Sequence, residues 1–336
     1  GVDGIIRSKE LSCPELDLGS GYPINLNTAS SDVLSKCIEY MQQTYKADNY
    51  GLIMWGHGTG WRSRGGEGAN TKAFAIDDTS HSYMTNAAFG HAIENKGLKV
   101  IGFDTCYGGL LEIVYQIKDS AQCMIASEGS IPARGWDYYT LFSSFLETDL
   151  SLSSFSSKVV AQFKNQYLGE EKATISVIDL NKINTVKNKF DIFAHNAAAL
   201  ITTSEVRSTM LNLIMHQTLN FSQTTYPCNF YVDIYSLSEK MSASYGSLSA
   251  SALSLQTALK SAVTQSWSSF GSDGYNLGIY FCDLIAYGVP ASTHDSSYFK
   301  GSEAAQQTKF VQKNSGWVPT KNNEGSFLDK LFYTTF

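Results

Sequence analysis

Apolar and polar positions along the chain follow two alternating periods. Short apolar runs bounded by turn residues fall at 50–55, 98–104, 122–127, 173–180 and 275–282. Such runs read as strands, and the two at 50–55 and 98–104 have the pattern of strands buried in a parallel sheet. Between them the apolar spacing changes to three and four. Val33, Leu34, Cys37, Ile38 and Met41 form one stripe over 30–46, behind Ser30 or Ser31 as a cap, which predicts a helix. Further helices are expected over 85–95, with Thr85 as cap and Gly97 as stop, and over 109–118, 138–147, 153–168, 182–203 and 247–266. A short strand is expected at 73–76, and loops at 62–72 and 128–137. Strands alternating with helices predict an α/β fold, a doubly wound and mostly parallel central sheet flanked by helices on both faces. Residues 1–27, with Pro14 and Pro23, predict no regular element. The expected organisation is this irregular segment followed by one domain over 28–336, in which about 182–270 is a candidate subdomain. Serine-rich stretches at 151–157 and 236–251 read as bridges between elements rather than linkers.

Two of the strands run into glycine-rich loops that each carry one reactive side chain. The first stretch is Tyr50-Gly-Leu-Ile-Met-Trp-Gly-His-Gly-Thr-Gly-Trp61, the second Lys99-Val-Ile-Gly-Phe-Asp-Thr-Cys-Tyr-Gly-Gly109. In an open α/β sheet, chemistry collects beyond the carboxyl ends of the strands. If the two strands are neighbours, His57 and Cys106 face each other there. The pair suits nucleophilic catalysis, because a thiolate is the reactive form of cysteine and an imidazole can take its proton and later return it to a leaving amine. The backbone N–H groups of Gly58 and Cys106 could form an oxyanion hole. Taken alone, each residue has an ordinary alternative, a small buried hydrophobe for Cys106 and a polar surface group for His57. Asp104 ends a buried strand two residues before Cys106, so its carboxylate needs a partner. Either a basic substrate side chain or a hydrogen bond to a neighbouring loop would supply one. Glu128, at the end of the following strand, is the second candidate acid.

The pair also has a known spacing. The residues lie 106 − 57, or 49, positions apart, and caspases place a histidine about 50 residues before a Cys-x-Gly segment such as Cys106-Tyr-Gly108. His57-Gly-x-Gly-Trp61 resembles the histidine motif of the clostripain family of cysteine peptidases, which belongs to the caspase–gingipain–legumain group. Phe103-Asp-x-Cys106 resembles that family's nucleophile motif, and Ala126-Ser-Glu128, Gly135-Trp136 and Gly278-Ile-Tyr-Phe281 are similar to its later motifs. The likeness runs from about residue 25 to the C-terminus.

The resemblance implies a caspase-like α/β/α sandwich and a cysteine endopeptidase with His57 and Cys106 as its dyad. It implies cleavage of peptide or protein substrates after Arg or Lys, with Asp104 in the pocket for that residue. It further implies self-cleavage between the two motifs, giving a light and a heavy chain that stay together. Lys72-Ala73 matches best, because it closes the basic, glycine-rich loop just before a probable strand. No cofactor is expected, although calcium dependence within the family leaves calcium open. No EF-hand-like spacing is present, and Asp77 and Asp78 read as turn residues in preference to ligands. One departure is that the residues before the histidine motif do not resemble the family's N-terminal segment, which puts the order of the first strands in doubt. Two other classes stay open: a catalytically inactive binding module that kept the fold, and a thiol amidase acting on small substrates.

Bulk properties narrow the partners. With 25 basic and 31 acidic residues the net charge is −6, which argues against a nucleic-acid surface. No apolar run approaches the ~20 residues that span a bilayer. The six cysteines, Cys13, Cys37, Cys106, Cys123, Cys228 and Cys282, include no CxxC pair and no zinc spacing. Cys37, Cys123 and Cys282 read as core residues. The chain opens on Gly1-Val2-Asp3, which reads as a trimmed or mature form, so the absence of a signal says nothing about export. The expectation is an extracellular, periplasmic or cell-envelope protein whose signal peptide has been removed.

Overall fold

A computed structural model describes residues 16, 26–58, 60, 73–77, 79–143, 151–169, 173–221, 230–270, 277–281 and 327–332. Its centre is a five-stranded sheet of β1 (Gly51–Trp55), β4 (Val100–Asp104), β5 (Cys123–Ala126), β6 (Thr174–Asp179) and β8 (Val263–Ser268), side by side in that order. β1, β4 and β5 pair in parallel. β6 runs against both β5 and β8, so four of the five strands share one direction. Two small antiparallel pairs accompany the sheet: β2 (Ala73–Asp77) with β3 (Ser82–Thr85), and β7 (Phe230–Asp233) with β9 (Gly278–Phe281).

Helices cover both faces, and strand alternation decides what each face receives. Ile101, Phe103, Met124, Ala126 and Ile178 point into the larger core. That core is closed by α2 (Asn86–Ala92), α3 (Leu111–Ile117), α6 (Ile183–Leu200), α7 (Ser204–Gln217), α8 (Ile234–Ser244) and α9 (Ser249–Ala262), with Ile38 of α1 (Ser31–Thr44) and Phe327 and Leu331 of α10 (Phe327–Phe332) joining it. The intervening residues Val100, Cys123, Ile125, Ile175 and Val177 point to the other face, against Leu141 of α4 (Tyr138–Ser143) and Val159 and Phe163 of α5 (Leu152–Tyr167). Every residue of β4 is buried, and each large aliphatic side chain so placed contributes about 1.5–3 kcal/mol. The apolar run Val100–Phe103 therefore reflects the strand's place inside the sheet, and Asp104 at its end is the buried exception.

Local chemistry sets most element ends. Ser30 caps α1 through the N–H of Val33, and Thr85 caps α2 through the N–H of Ala88. α2 stops at Ala92, earlier than the sequence pattern suggests, because Asn95 and Gly97 both take positive φ and unwind the turn. The helix expected over 247–266 is corrected at its end. It stops at Ala262, and Val263–Ser268 forms β8, where alternating Val263, Gln265 and Trp267 suit a pleated strand against β6. β3, α7, β7 and α8 were not expected from the pattern. The 236–251 stretch is helical over most of its length: Ser238 and Ser251 donate their hydroxyls to carbonyls three residues back, and Ser236 Oγ accepts from the Leu219 N–H, tying α8 to the segment after α7. Cys123 is buried and Cys37 half-buried, whereas Cys13, Cys228 and Cys282 lie outside the described residues. None of the described helices is long and apolar enough to cross a membrane.

Candidate active site

The two glycine-rich loops leave neighbouring strands at the same edge of the sheet. Trp55 of β1 is paired in register with Asp104 of β4. His57 and Cys106 each lie two residues further on, and Gly56 N–H still donates to the Asp104 carbonyl at 3.4 Å. The loops then touch backbone to backbone, since a Cβ on Gly58 would collide with the Cys106 carbonyl oxygen and stand 2.9 Å from Thr105 Oγ1. Glycine is required there by that close approach. The fold thus brings together the two residues that the spacing singles out. His57 is exposed, and among the described residues no hydrogen bond joins its ring to the thiol. Neither Gly58 N–H nor Cys106 N–H donates to a carbonyl of another described residue. Both of the donors expected of an oxyanion hole are therefore uncommitted to the sheet.

On its other side Cys106 meets the loop after β5. Ile131 N–H donates to Cys106 Sγ at 3.3 Å, and the thiol reaches the Ile131 carbonyl at 3.7 Å. Burial pushes the thiol up and wins overall; the Ile131 N–H, the Ser130 hydroxyl and the thiol's own backbone N–H pull it back, and the nearby Asp104 charge adds to the rise. The next residue, Tyr107, takes φ +58. A bulky residue in this left-handed region stores about 1–3 kcal/mol of strain and persists only where its surroundings dictate it. Here Tyr107 N–H donates to the Gly129 carbonyl at 2.9 Å, its hydroxyl meets Ser130 Oγ at 2.9 Å, and its ring packs on Tyr231 with centroids 4.8 Å apart. The sharp turn lets the thiol leave the sheet while α3 begins at Leu111, four residues after Tyr107.

Asp104 is 3 % exposed at the end of β4. Its Oδ2 accepts from Trp136 N–H at 3.0 Å and from Tyr138 Oη at 2.7 Å, while Oδ1 has no partner among the described residues. Burial raises its proton affinity, and those two donors oppose the rise. The loop can approach this closely because Gly135 sits at φ +62, where a Cβ would stand 2.6 Å from Oδ2. The hydrogen bond to a neighbouring loop, one of the two partners expected for Asp104, is thus present, and one oxygen is left over.

Glu128 is fully buried, with no donor to either carboxylate oxygen among the described residues. It lies beside Asp233, and burial followed by that neighbouring acid holds its proton affinity well above the usual range. Asp233 caps α8 by accepting from Ser236 N–H at 2.7 Å, a role that favours its ionised form, so the proton of the pair rests on Glu128. Two ionised acids could offer each other no donor, and one shared proton supplies it. The Gly278–Phe281 motif arrives at the same place: Gly278 N–H donates to the Gly109 carbonyl at 2.9 Å. β9 is the strand expected at 275–282, whereas its partner β7, which carries Tyr231 and Asp233, was missed in sequence; the pair braces the Cys106 loop from behind.

Asp77 accepts from Thr28 N–H, Thr28 Oγ1 and Ser80 N–H at 2.9, 3.0 and 2.8 Å, which drives its proton affinity far down and makes it the turn residue expected. No cluster of three His, Cys, Asp or Glu side chains suited to a metal occurs among the described residues. Ala73 opens β2, whereas Lys72, the 62–72 loop and Asp78 lie outside the described residues. His195 and His216 are exposed residues of α6 and α7.

A sheet with four strands in one direction, helices on both faces, and an imidazole loop beside a thiol loop at the strands' carboxyl edge defines an α/β protein of the caspase-like type. The model of the clostripain family matches residues 4–311, and the chain belongs to that family. Clostripain of Hathewaya histolytica is 28% identical over 271 residues, or 69% of this chain and 51% of that protein, so the chain spans about half the length of this curated relative. Among solved structures, an inactive zymogen C11 protease from Parabacteroides distasonis matches 85% of the chain and 78% of its own at 20% identity, with a TM-score of 0.59. A secreted C11 cysteine protease from Bacteroides thetaiotaomicron, in complex with an irreversible peptide inhibitor, matches 86% and 80% at 16% identity, with a TM-score of 0.58. At these identities the structures show the shared fold.

Proposed function

We propose that this protein is a cysteine endopeptidase in which Cys106 attacks a peptide carbonyl and His57 manages the proton. The observation that carries the reading is the register that sets His57 and Cys106 side by side beyond β1 and β4, in a chain of the clostripain family. In the reaction the thiolate sulfur bonds to the carbonyl carbon, and the N–H groups of Gly58 and Cys106 receive the oxyanion. The peptide nitrogen then leaves with the proton from His57. Water, deprotonated by the same imidazole, releases the acyl group and regenerates the thiol.

Cleavage after Arg or Lys belongs to the same proposal. Asp104 carries the pocket charge, because its Oδ1 is unpartnered and a guanidinium or ammonium would supply the missing donors. Glu128 is the weaker candidate, since its carboxyl faces Asp233 and holds a proton. Self-cleavage at Lys72-Ala73 would yield a light and a heavy chain held together by the sheet, and calcium is not required for any step. The protein acts outside the cytoplasm on peptide or protein substrates.

The test is turnover of peptide amides that end in Arg, Lys or a neutral residue. Cys106→Ala and His57→Ala should each lose at least about 10³-fold in kcat/KM, with thermal stability nearly unchanged because both sites are loop positions. An inactive binding module would show no turnover in the parent, and a small-molecule amidase would prefer simple amides over peptides. Substantial peptide cleavage by the Cys106→Ala protein would overturn the reading.

A further inference from the structure

We propose that the Ser130–Ile131 turn, oriented by Tyr107, is a donor set for the Cys106 sulfur that positions the nucleophile as its thiolate alongside His57. The inference rests on the reading of Cys106 as the nucleophile and adds residues from the opposite side of the cleft. β4 lies between β1 and β5, so the loop carrying Cys106 is flanked by the His57 loop on one side and by residues 128–137 on the other. On the His57 side no hydrogen bond to the sulfur is present among the described residues. On the Ser130 side the sulfur accepts from Ile131 N–H at 3.3 Å, and the hydroxyl of the adjoining Ser130 is among the groups that lower the proton affinity of the thiol.

The direction of the protons follows from the partners. Tyr107 Oη and Ser130 Oγ are 2.9 Å apart. When the tyrosine donates across this contact, the single serine proton is free for the sulfur. A neutral thiol can donate to the Ile131 carbonyl, 3.7 Å away. That long contact belongs to the neutral form alone, whereas the Ile131 N–H and the Ser130 hydroxyl are donors that favour the charged form. The φ of +58 at Tyr107 is what turns the tyrosine ring back to this place, with Gly129 and Tyr231 holding it.

The other titratable groups near the sulfur are accounted for. Asp104, on the same strand, opposes the thiolate. Tyr138 is bonded to Asp104, and Glu128 is turned to Asp233. Arg134, on the same loop as Ser130, lies over the Tyr167 ring at 5.3 Å. His57 stands across the cleft and remains the proton carrier.

The experiment follows the pH dependence of Cys106 alkylation by iodoacetamide in the full chain. The product is read by mass spectrometry of the peptide that carries Cys106, so the other cysteines do not interfere. Ser130→Ala should move the midpoint up by roughly half to one pH unit, a threefold to tenfold slower reaction at neutral pH. Tyr107→Phe should shift it in the same direction by less, and Ser130→Thr should restore the parent midpoint. Melting temperatures serve as the check that a purely structural change is not being read. An unmoved midpoint in Ser130→Ala overturns the proposal, as does a Ser130→Thr protein that reacts like Ser130→Ala. Alkylation involves no peptide, so it stands or falls separately from the specificity for basic residues.

Discussion

At the residue scale, the site is a set of groups whose environments oppose their ordinary charge states. Burial raises the proton affinity of Cys106, Asp104 and Glu128 alike, and each is answered differently: Cys106 by N–H and hydroxyl donors, Asp104 by Trp136 and Tyr138, Glu128 by keeping its proton against Asp233. Asp104 is the informative one, because a partly satisfied buried carboxylate has capacity for a further cationic partner. Asp104→Asn keeps an oxygen for the Trp136 N–H but removes the charge. It should weaken kcat/KM for Arg and Lys substrates by about 1.5–3 kcal/mol, roughly ten- to a hundredfold, and leave neutral substrates nearly unchanged. Equal losses on basic and neutral substrates would assign Asp104 to holding the loop alone. His57, Cys106 and Asp104 were legible in sequence because each sits where an apolar run breaks into a turn. Ser130, Ile131 and Tyr107 were not, since a backbone N–H and a positive φ leave no mark in residue type.

At the element scale, the strands that carry the chemistry were the most legible part of the chain. β1, β4 and β5 are short, apolar and flanked by turn residues, so their sequence states their burial. β7 and α8 escaped because serines and tyrosines dilute the apolar period of 230–244; Ser238 meets its hydrogen bond locally and Ser236 meets its own with the distant Leu219 N–H, which no sequence period reveals. β8 escaped because Ala258, Leu259 and Ala262 continue the helical spacing into Val263, and only pairing with β6 ends it. Connections matter as much as elements. The proposed cut at Lys72-Ala73 falls where β2 begins, outside the main sheet, and severing it leaves every β1–β4 bond in place. Active protein should run as two bands on a denaturing gel, with the larger fragment beginning at Ala73, and Cys106→Ala protein should stay as one chain. The same cut in purified Cys106→Ala protein would show that another protease makes it.

At the scale of the whole molecule, the Cys106 segment is held at both ends, by β4 within the main sheet and by the β7–β9 pair, which meets Gly109 and Leu110. Glu128 and Asp233 are buried where those two sheets meet. A buried acid with a raised proton affinity adds stability that is fully present below the ordinary carboxylate pKa, about 4.3, and lost as pH rises toward the folded-state value. Glu128→Gln cannot titrate and carries its own donor for Asp233. Relative to the parent, its stability should therefore improve between pH 4 and pH 7, by about 1 kcal/mol at the upper end. Melting curves at the two pH values check this, and a difference independent of pH would contradict it. The central claim concerns the dyad itself, and one measurement reaches it most directly. A peptide ending in Arg and bearing an irreversible thiol-reactive group is incubated with the parent, the His57→Ala and the Cys106→Ala proteins, and the adduct is located by mass spectrometry. The account predicts one adduct, on Cys106, formed much more slowly without His57 and blocked by excess Arg peptide but not by a neutral one. An adduct on another cysteine, or labelling of Cys106 indifferent to both His57 and the Arg peptide, would contradict it.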